Sequence, residues 1–453
     1  MSSAPPRVSL GRQLTLAVFW FGISFVWGAL LSVALPFILV PEHAGPGNPA
    51  LVPAAGKNTA ISLLETGGLL IAILVQPAAG AFSDTLRTRW GRRRPLIAVG
   101  ALGAAASLLL VAGAQSFALL VAAYCLLQLF MNIAQGAYQG LLPDTVSGAQ
   151  RGAASGWLGI ATLSGQVAGV VVAGPLAART ACYVIAAVLF ASALLTVTRI
   201  PEDPASAQQR VTSAASVTQR LRAYAAEFAR YPDFCWVVFS RFLIFTSLAC
   251  VQRFAAYYIA DTFHGHYALF GIDLGSAQTA TSAMLAVVIL FGIAVTYPAV
   301  RLSDRAGRRA ILVSAALLGA LACALFTIAG TVTEVVLFAL PMALCFGMVV
   351  SVDWAFMTDL APRRRAGKFL GFSNLATAGA QAAAPTFLGP VIDVVNAHTR
   401  TANGSSGTGG YRVMFTVGAA CFVLGALALR RVRARRVADV DDEPAGVPRL
   451  ALT

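Results

Sequence analysis

Long apolar runs separated by short polar stretches make up most of the chain. A run of about 20 apolar residues is long enough to cross the hydrocarbon core of a bilayer as a helix. Because lipid offers no hydrogen-bond partners, the backbone must pair within each run, which favours helices. The pattern predicts an all-α membrane protein with twelve transmembrane helices, near residues 14–39, 60–83, 95–114, 117–142, 153–177, 181–199, 235–260, 277–302, 310–330, 334–358, 368–393 and 413–430.

The composition supports lipid as the solvent. Only 11% of the 453 residues are charged, whereas soluble domains carry about a quarter. The net charge of +14 could indicate a nucleic-acid-binding protein, but the basic residues lie between the apolar runs. We therefore expect membrane lipid and a small solute as partners, and no nucleic acid. The seven cysteines form no metal-ligand spacing, so no metal or other cofactor is expected.

The basic residues also predict an orientation. If both termini lie on one side, 27 of the 33 Lys and Arg residues fall on that side and four fall on the other. Cytoplasmic loops carry the excess of Lys and Arg in membrane proteins. Both termini are therefore predicted to be cytoplasmic. The use of 31 Arg against two Lys, with abundant Ala, is typical of a GC-rich bacterial genome. This suggests the bacterial inner membrane, in which we expect a monomer.

The longest polar stretch divides the chain. Residues 200–233 are rich in Ala, Ser, Gln and Arg and separate six predicted spans from six others. The predicted organisation is an N-terminal half (1–199), a cytoplasmic linker (200–233), a C-terminal half (234–430) and a basic cytoplasmic tail (431–453).

The two halves share a repeat. Asp84 and Asp304 lie 220 residues apart, and each is followed by Arg and Gly residues. Asp144 and Asp359 lie 215 residues apart in similar surroundings. Two matching offsets predict homologous halves in the same orientation. Parallel repeats of this kind face each other about a cavity at the membrane midplane in carriers that work by rocking.

One loop resembles a known family. Gly80-x-x-x-Asp84 followed by GRRR at residues 91–94, weakly repeated after Asp304, resembles the signature loop of the major facilitator superfamily. Residues 74–95 and 132–144 resemble its sucrose-carrier and glycoside–cation symporter branches. The resemblance implies two pseudo-symmetric six-helix halves. It also implies secondary active transport of a small polar solute, a sugar or glycoside, by alternating access with proton coupling.

The charged residues of these loops are candidate gating groups. An Asp that ends one helix can pair with a loop Arg and face the positive N-terminus of a neighbouring helix. Such pairs could hold the cytoplasmic side closed. The alternative is that the Arg residues serve membrane topology alone. The predicted gating residues are Asp84, Arg92, Arg93, Arg94, Asp144, Arg151, Asp304, Arg308 and Asp359.

A stripe of amides predicts a solute site. In the fourth span Gln128, Asn132, Gln135 and Gln139 follow one another at steps of four, three and four, so they share one helix face. An amide both donates and accepts hydrogen bonds, which suits sugar hydroxyls. The alternative is hydrogen bonding between helices. Other candidate solute contacts in the spans are Trp27, Arg253, Tyr257, Asn374 and Gln381.

Two acids within the spans are candidate proton carriers. Glu65 and Asp353 each lie in an apolar run, and an isolated carboxyl buried in such a place can hold a proton near neutral pH. The alternative for either is a structural ion pair with Arg241 or Arg253. Plant sucrose–proton carriers have an acid where this chain has Gln128 and an Arg where it has Gln139. Their coupling pair is therefore absent here.

Other function classes find little support. The chain has no GxxxxGK[ST] phosphate loop and no HExxH or GxSxG motif, which argues against ATP-driven transport and against an enzyme. The nearest alternative is an exporter of drug-like or amphipathic compounds on the same fold. A lipid scramblase or a nutrient sensor is a further alternative.

Overall fold

The protein is described here from a computed structural model, which describes residues 8–45, 48–146, 150–200, 231–360, 366–399 and 407–433. Twelve long helical segments lie in these ranges, which confirms the predicted all-α membrane fold. In chain order, α1 to α12 are Leu10–Leu39, Lys57–Thr85, Arg94–Gly113, Phe117–Thr145, Arg151–Ala173, Ala178–Arg199, Pro232–Phe263, Ala277–Ala306, Arg308–Phe326, Val332–Leu360, Ala366–His398 and Gly409–Arg431. Most of the predicted linker and tail lie outside the described residues.

Eleven of these helices are long and apolar enough to cross a membrane. The remaining one, α11, contains Pro385 and Pro390 and carries Gln381 near its middle, which makes it less apolar. Pro is tolerated in membrane helices where neighbouring helices satisfy the freed backbone groups. α11 packs between α7 and α2, so it has such neighbours on both sides.

The helix α1 is interrupted by a π turn. Residues Leu30–Ala34 form the turn, and a short α-helix, Leu35–Leu39, follows it with Pro36 in its first turn. Pro36 has no backbone N–H, so one intrahelical hydrogen bond is missing, and a wider turn accommodates the change. Between α7 and α8 lies a small antiparallel hairpin of β1 (Ala268–Leu269) and β2 (Ile272–Asp273).

The sequence repeat is a repeat of helices. α2 begins at Lys57 and α8 at Ala277, 220 residues later. α4 and α10 each contain 29 residues and are separated by 215 along their whole length. These are the offsets predicted from the acidic residues. Within the halves the helices approach closely at small residues. A Cβ on Gly169 of α5, for example, would lie 2.4 Å from the carbonyl oxygen of Phe25 in α1.

The described hydrogen bonds between the two halves are unevenly distributed along the bundle. We name the ends of the bundle the Arg-rich end, where the loops at 87–94 and 301–309 lie, and the latch end, opposite to it. The described hydrogen bonds between the halves lie at mid-depth or towards the latch end. There the hydroxyl of Ser282 in α8 donates to the carbonyl oxygen of Val170 in α5 at 2.6 Å. Among the described residues none joins the halves at the Arg-rich end.

Candidate solute-binding cavity

A cavity of about 530 Å³ lies between the two halves. Pockets for small molecules usually measure about 300–1,000 Å³. The walls come from α1, α2, α4 and α5 of the N-terminal half and chiefly from α7, α8, α10 and α11 of the C-terminal half. A solute of disaccharide size could therefore contact both halves at once.

The N-terminal half supplies a polar wall. Its hydrogen-bonding side chains on the cavity are Trp27, Glu65, Gln76, Tyr124, Gln128, Asn132, Gln135, Thr162 and Gln166. Part of this wall is already bonded, because Gln128 donates to the hydroxyl of Tyr124 at 2.8 Å and Asn132 donates to the backbone oxygen of Gln128 at 2.8 Å. These bonds fix the amides of α4 in position.

Four other amides are available to a solute. Among the described residues, no side-chain hydrogen bond is made by Gln76, Gln135, Gln166 or Gln381, and all four line the cavity. Each amide can donate two hydrogen bonds and accept two. The free amides can therefore bind several hydroxyl groups of one solute.

The C-terminal half supplies an apolar wall. The α8–α10 wall consists of Met284, Leu285, Val288, Ile289, Ala339, Met342, Phe346 and Val350. None of these side chains can form a hydrogen bond to a hydroxyl group except weakly through methionine sulfur. The polar lining of the C-terminal half comes instead from Gln252, Arg253 and Gln381 on α7 and α11.

An ion pair joins the halves in the cavity wall. Oε2 of Glu65 in α2 lies 3.2 Å from Nε of Arg253 in α7, and both side chains are largely buried. The other carboxylate oxygen of Glu65 is buried without a hydrogen-bond partner. Glu65 and Arg253 are the only charged side chains among the described residues that line the cavity, so their charges cancel there.

A second buried ion pair lies away from the cavity. Arg241 in α7 and Asp353 in α10 are 2.5 Å apart, and Nε of Arg241 donates to the hydroxyl of Thr377 in α11 at 2.7 Å. The guanidinium also lies over the rings of Phe245 and Trp354. This pair connects three helices of the C-terminal half with one another. The predicted alternative of an ion pair with Arg241 or Arg253 thus applies to both intramembrane acids.

At the latch end, two carboxylates of the C-terminal half hold the start of α2. Asp261 lies 2.5 Å from Nζ of Lys57 and accepts from the hydroxyl of Tyr411 at 2.7 Å. Asp393 accepts from the backbone N–H of Thr59 at 2.7 Å and from the amide of Asn58 at 2.8 Å. We call these five residues, Lys57, Asn58, Thr59, Asp261 and Asp393, the latch.

The latch suits the electrostatics of a helix end. Asp393 satisfies N–H groups in the first turn of α2 that have no partner within the helix, and its charge lies at the positive end of the helix dipole. Gly389 permits the close approach, because a Cβ there would lie 2.0 Å from the hydroxyl of Ser62 and 2.5 Å from the carbonyl oxygen of Asn58.

At the Arg-rich end of the N-terminal half, Arg93, which precedes α3, binds the ends of α2 and α4. Arg93 lies 2.9 Å from Asp84 and also pairs with Asp144, while Arg92 lies 2.7 Å from Asp144. Arg94 donates to the carbonyl oxygen of Val197. The guanidinium of Arg93 lies against Gly140, where a Cβ would be 2.0 Å from it. These bonds tie α2, α3 and α4 together.

The equivalent site of the C-terminal half is simpler. Arg308 lies 2.6 Å from Asp359 and donates to the carbonyl oxygen of Ala355 at 2.6 Å. Asp304 is exposed. In the state described here, these ion pairs join helices within one half, and the described bonds between the halves lie elsewhere. The side chain of Arg151 lies outside the described residues.

The sequence comparison identifies the family. The model of the Major Facilitator Superfamily matches residues 14–385. The chain belongs to the major facilitator superfamily. It is therefore a multi-pass membrane transporter and not an enzyme.

Curated relatives of the transporter fall into two groups. The general alpha-glucoside permease of Schizosaccharomyces pombe is 27% identical over 183 residues, 37% of this chain and 31% of the permease. A sucrose transport protein of Arabidopsis thaliana is 26% identical over 37% of this chain and 34% of its own length. The multi-drug resistance efflux pump PmrA of Streptococcus pneumoniae is 22% identical over 80% of this chain and 84% of the pump. The chain thus spans about a third of the length of these two sugar carriers.

Solved structures share the fold. The nucleoside transporter NupG superposes with a TM-score of 0.70 at 15% identity, over 94% of this chain and all of that chain. A D-xylose-proton symporter superposes with a TM-score of 0.64 at 16% identity, over 94% and 98%. At this level of identity the likeness concerns the architecture alone.

Most of the predicted solute contacts of the transporter line the cavity. They are Trp27, Gln128, Asn132, Gln135, Arg253 and Gln381, together with the predicted proton carrier Glu65. The side chain of Asn374 lies outside the described residues.

Three predicted residues lie elsewhere. Gln139 is exposed and lies beyond the cavity, because the amide stripe of α4 is longer than the wall that it forms. Tyr257 is buried, and its hydroxyl donates to the carbonyl oxygen of Pro36 at 3.0 Å. Asp353 is buried in its ion pair with Arg241.

The structure adds cavity residues that the sequence did not single out. Gln166 and Thr162 of α5 lie on the polar wall beside Trp27. Both are polar residues in an apolar run, four residues apart, and that spacing could have identified them. The apolar wall gave no such signal, since Met, Val and Ile in a membrane span are equally expected to face lipid.

Proposed function

We propose that this transporter moves a small polar solute of the sugar or glycoside class by alternating access, with a proton as the coupling ion. The observation that carries the proposal is the set of four unbonded amides on the cavity, which are Gln76, Gln135, Gln166 and Gln381. Polar side chains within a membrane span are costly unless they face a cavity or have a partner. Hydroxyl groups of a sugar are matching partners for amides.

Glu65 is the proposed proton carrier. It lies in the cavity wall and pairs with Arg253 of the other half at 3.2 Å. A proton on Glu65 removes the charge that Arg253 needs, so protonation and the contact between the halves are linked. In the state described here the pair is formed, which suits a carrier that has released its proton. Asp353 is the second candidate, and it is the weaker one because it lies away from the cavity.

The proposed orientation in the membrane determines to which side the cavity opens. With both termini and the linker at residues 200–233 in the cytoplasm, the Arg-rich end faces inwards, and the latch closes the outer side. The transporter is then open to the cytoplasm. We place it as a monomer in a bacterial inner membrane, with the basic residues of its inner loops near lipid headgroups.

Two sets of residues act as gates in this proposal. The latch closes the outer side in the inward-open state. The second set holds the inner helix ends in positions from which the inner side can close. In the N-terminal half it consists of Asp84, Arg92, Arg93, Arg94 and Asp144, and its counterparts are Arg151, Asp304, Arg308 and Asp359. The ion pairs of Arg93 keep α2, α3 and α4 moving as one unit.

Two observations favour a second function. The α8–α10 wall is apolar, and the efflux pump PmrA matches over most of the chain. An exporter of amphipathic compounds would use such a wall. The neutral charge balance and the four free amides of the cavity favour the sugar or glycoside class over it.

The test is uptake of labelled disaccharides into proteoliposomes, with and without an imposed pH gradient. We expect uptake to rise several-fold when the outside is acidic and to fall when a protonophore collapses the gradient. Protein-free liposomes are the control. Absence of uptake for every sugar and glycoside tested would contradict the proposal, and gradient-driven loss of a preloaded amphipathic dye would support export.

A further inference from the structure

The two halves contribute differently to the cavity. In the C-terminal half the polar lining comes from α7 and α11, with Gln252, Arg253 and Gln381, whereas α8 and α10 form an apolar wall. The N-terminal half contributes nine hydrogen-bonding side chains, whereas α8 and α10 of the C-terminal half contribute none apart from methionine sulfur. The equivalent helices α2 and α4 carry Glu65, Gln76 and the amides of α4. The two halves share a fold, so the difference lies in the side chains.

The repeat offsets make the comparison direct. Glu65 in α2 is equivalent to Leu285 in α8 at the offset of 220, and both line the cavity. Gln135 in α4 is equivalent to Val350 in α10 at the offset of 215, and both line the cavity as well. At these two matched positions the N-terminal half therefore presents polar groups and the C-terminal half presents hydrocarbon.

A fully hydroxylated solute does not suit such a cavity. If a disaccharide filled the space, its hydroxyl groups against the α8–α10 wall would lose water and gain no partner, which costs free energy for each group. A solute with an apolar portion would instead bury that portion on Met342, Phe346 and their neighbours. Because Glu65 and Arg253 cancel each other's charge, the solute needs no net charge.

We infer that the solute is an uncharged glycoside with an apolar aglycone, whose sugar hydroxyls bind the free amides of the cavity and whose aglycone packs on the α8–α10 wall. This inference rests on the proposed function, since it specifies the solute of the same cavity. It also accounts for the apolar wall without requiring that the transporter be a drug exporter.

The experiment is a competition series in proteoliposomes. Counterflow of a labelled glucoside is measured against unlabelled methyl, butyl and phenyl glucosides, sucrose and phenol. We expect phenyl glucoside to inhibit at a concentration at least about tenfold lower than methyl glucoside, because burying a phenyl group on an apolar wall contributes an affinity of that order. Phenol alone should not inhibit.

Variants locate the effect on the wall. Met342→Gln should reduce the tenfold preference for phenyl glucoside over methyl glucoside to about threefold or less. Met348→Gln, the same substitution on the same helix but away from the cavity, should keep the preference. Val288→Thr, which conserves shape, is the second wall variant in case Met342→Gln does not reach the membrane.

The outcomes separate this inference from the proposed function. Equal inhibition by methyl and phenyl glucosides, or a preference that Met342→Gln and Val288→Thr both leave unchanged, would overturn the inference, while sugar transport itself would stand. Inhibition by phenol as strong as that by phenyl glucoside would also overturn it and would favour the exporter. If neither sugars nor glycosides are transported, the proposed function fails, and the inference fails with it.

Discussion

Glu65 of α2 and Arg253 of α7 form an ion pair across the two halves of the molecule, with 3.2 Å between Oε2 and Nε. The two residues are 188 positions apart in the sequence, and they carry the only charges among the described residues of the cavity wall. A contact between the halves that includes a titratable group can link proton binding to the movement of the halves.

Substitution of Glu65 tests the proton carrier. We expect Glu65→Gln to abolish uptake driven by a pH gradient while counterflow, which needs no net proton movement, keeps at least about a third of its rate. The physical reason is that Gln conserves shape but cannot bind a proton. Asp353→Asn is the matched comparison, and gradient-driven uptake should survive it if Glu65 is the carrier.

The loss of Glu65 also leaves the buried cation of Arg253 without its partner, which can destabilise the protein by about 3–5 kcal/mol. The double variant Glu65→Gln with Arg253→Gln removes that cost. It should recover expression and still show no response to the pH gradient. Full gradient-driven uptake by the double variant would exclude Glu65 as the coupling group.

A disulfide can test the closed latch end. The hydroxyl oxygens of Thr66 in α2 and Thr386 in α11 lie 2.5 Å apart across the two halves. Cysteines at both positions are close enough to form a disulfide. We expect the double variant, in a background without the seven native cysteines, to lose transport on oxidation and to regain most of it with a reductant.

The controls for the disulfide are the two single-cysteine variants, which should be insensitive to the oxidant. Transport that continues unchanged with a fully formed disulfide would show that α2 and α11 do not separate during the cycle.

Weakening the latch should shift the resting state. Asp261→Asn removes the partner of Lys57 but keeps the shape, so the latch end should open more often. Labelling of Thr66→Cys by a membrane-impermeant thiol reagent from outside should then rise several-fold. Glu334→Gln, which changes a half-buried carboxylate in the first turn of α10, is the control and should not raise labelling.

Gly140 provides a test of the Arg-rich end. A Cβ at this position would lie 2.0 Å from the guanidinium of Arg93, so Gly140→Ala must displace Arg93 from Asp84 and Asp144. We expect the maximal transport rate to fall by about tenfold, with little change in the solute concentration at half-maximal rate. Gly159→Ala in α5, where a Cβ meets open space, should have no such effect.

The amide stripe offers an internal comparison. Gln135 lines the cavity with an unbonded amide, whereas Gln139, one turn further, is exposed outside it. Gln135→Ala should raise the half-saturating solute concentration by about two- to tenfold, because one hydrogen bond contributes an affinity of that order. Gln139→Ala should leave it unchanged. Equal effects of the two substitutions would contradict the location of the solute in this cavity.

The sequence predicted most of the architecture. Run length and the alternation of apolar and polar stretches gave twelve helices, and the spacing of Asp84 and Asp304 gave the offset that relates α2 to α8. These features are local or periodic, so they do not depend on how helices are arranged in space. The amide spacing in α4 likewise predicted three residues that share the polar wall, since a helix has a known period.

The residues of the site were harder to predict, because they depend on how the helices are arranged in space. Gln139 continues the stripe and yet lies beyond the cavity, because the depth of the cavity is set by neighbouring helices. Glu65 and Asp353 were equivalent in the sequence, as lone acids in apolar runs with Arg241 and Arg253 as possible partners. Only the tertiary structure assigned Arg253 to Glu65 in the cavity wall and Arg241 to Asp353 away from it.

The sequence alone thus determined that this protein is a helical membrane protein of two repeated halves, because hydrophobic length and repeat spacing are properties of the chain itself. The tertiary structure decided which helix faces meet across the cavity, and with them the apolar wall of α8 and α10 and the latch around Asp261 and Asp393. In a membrane, an apolar side chain is as stable against lipid as against a neighbouring helix. Hydrophobicity therefore cannot show which apolar residues line a cavity.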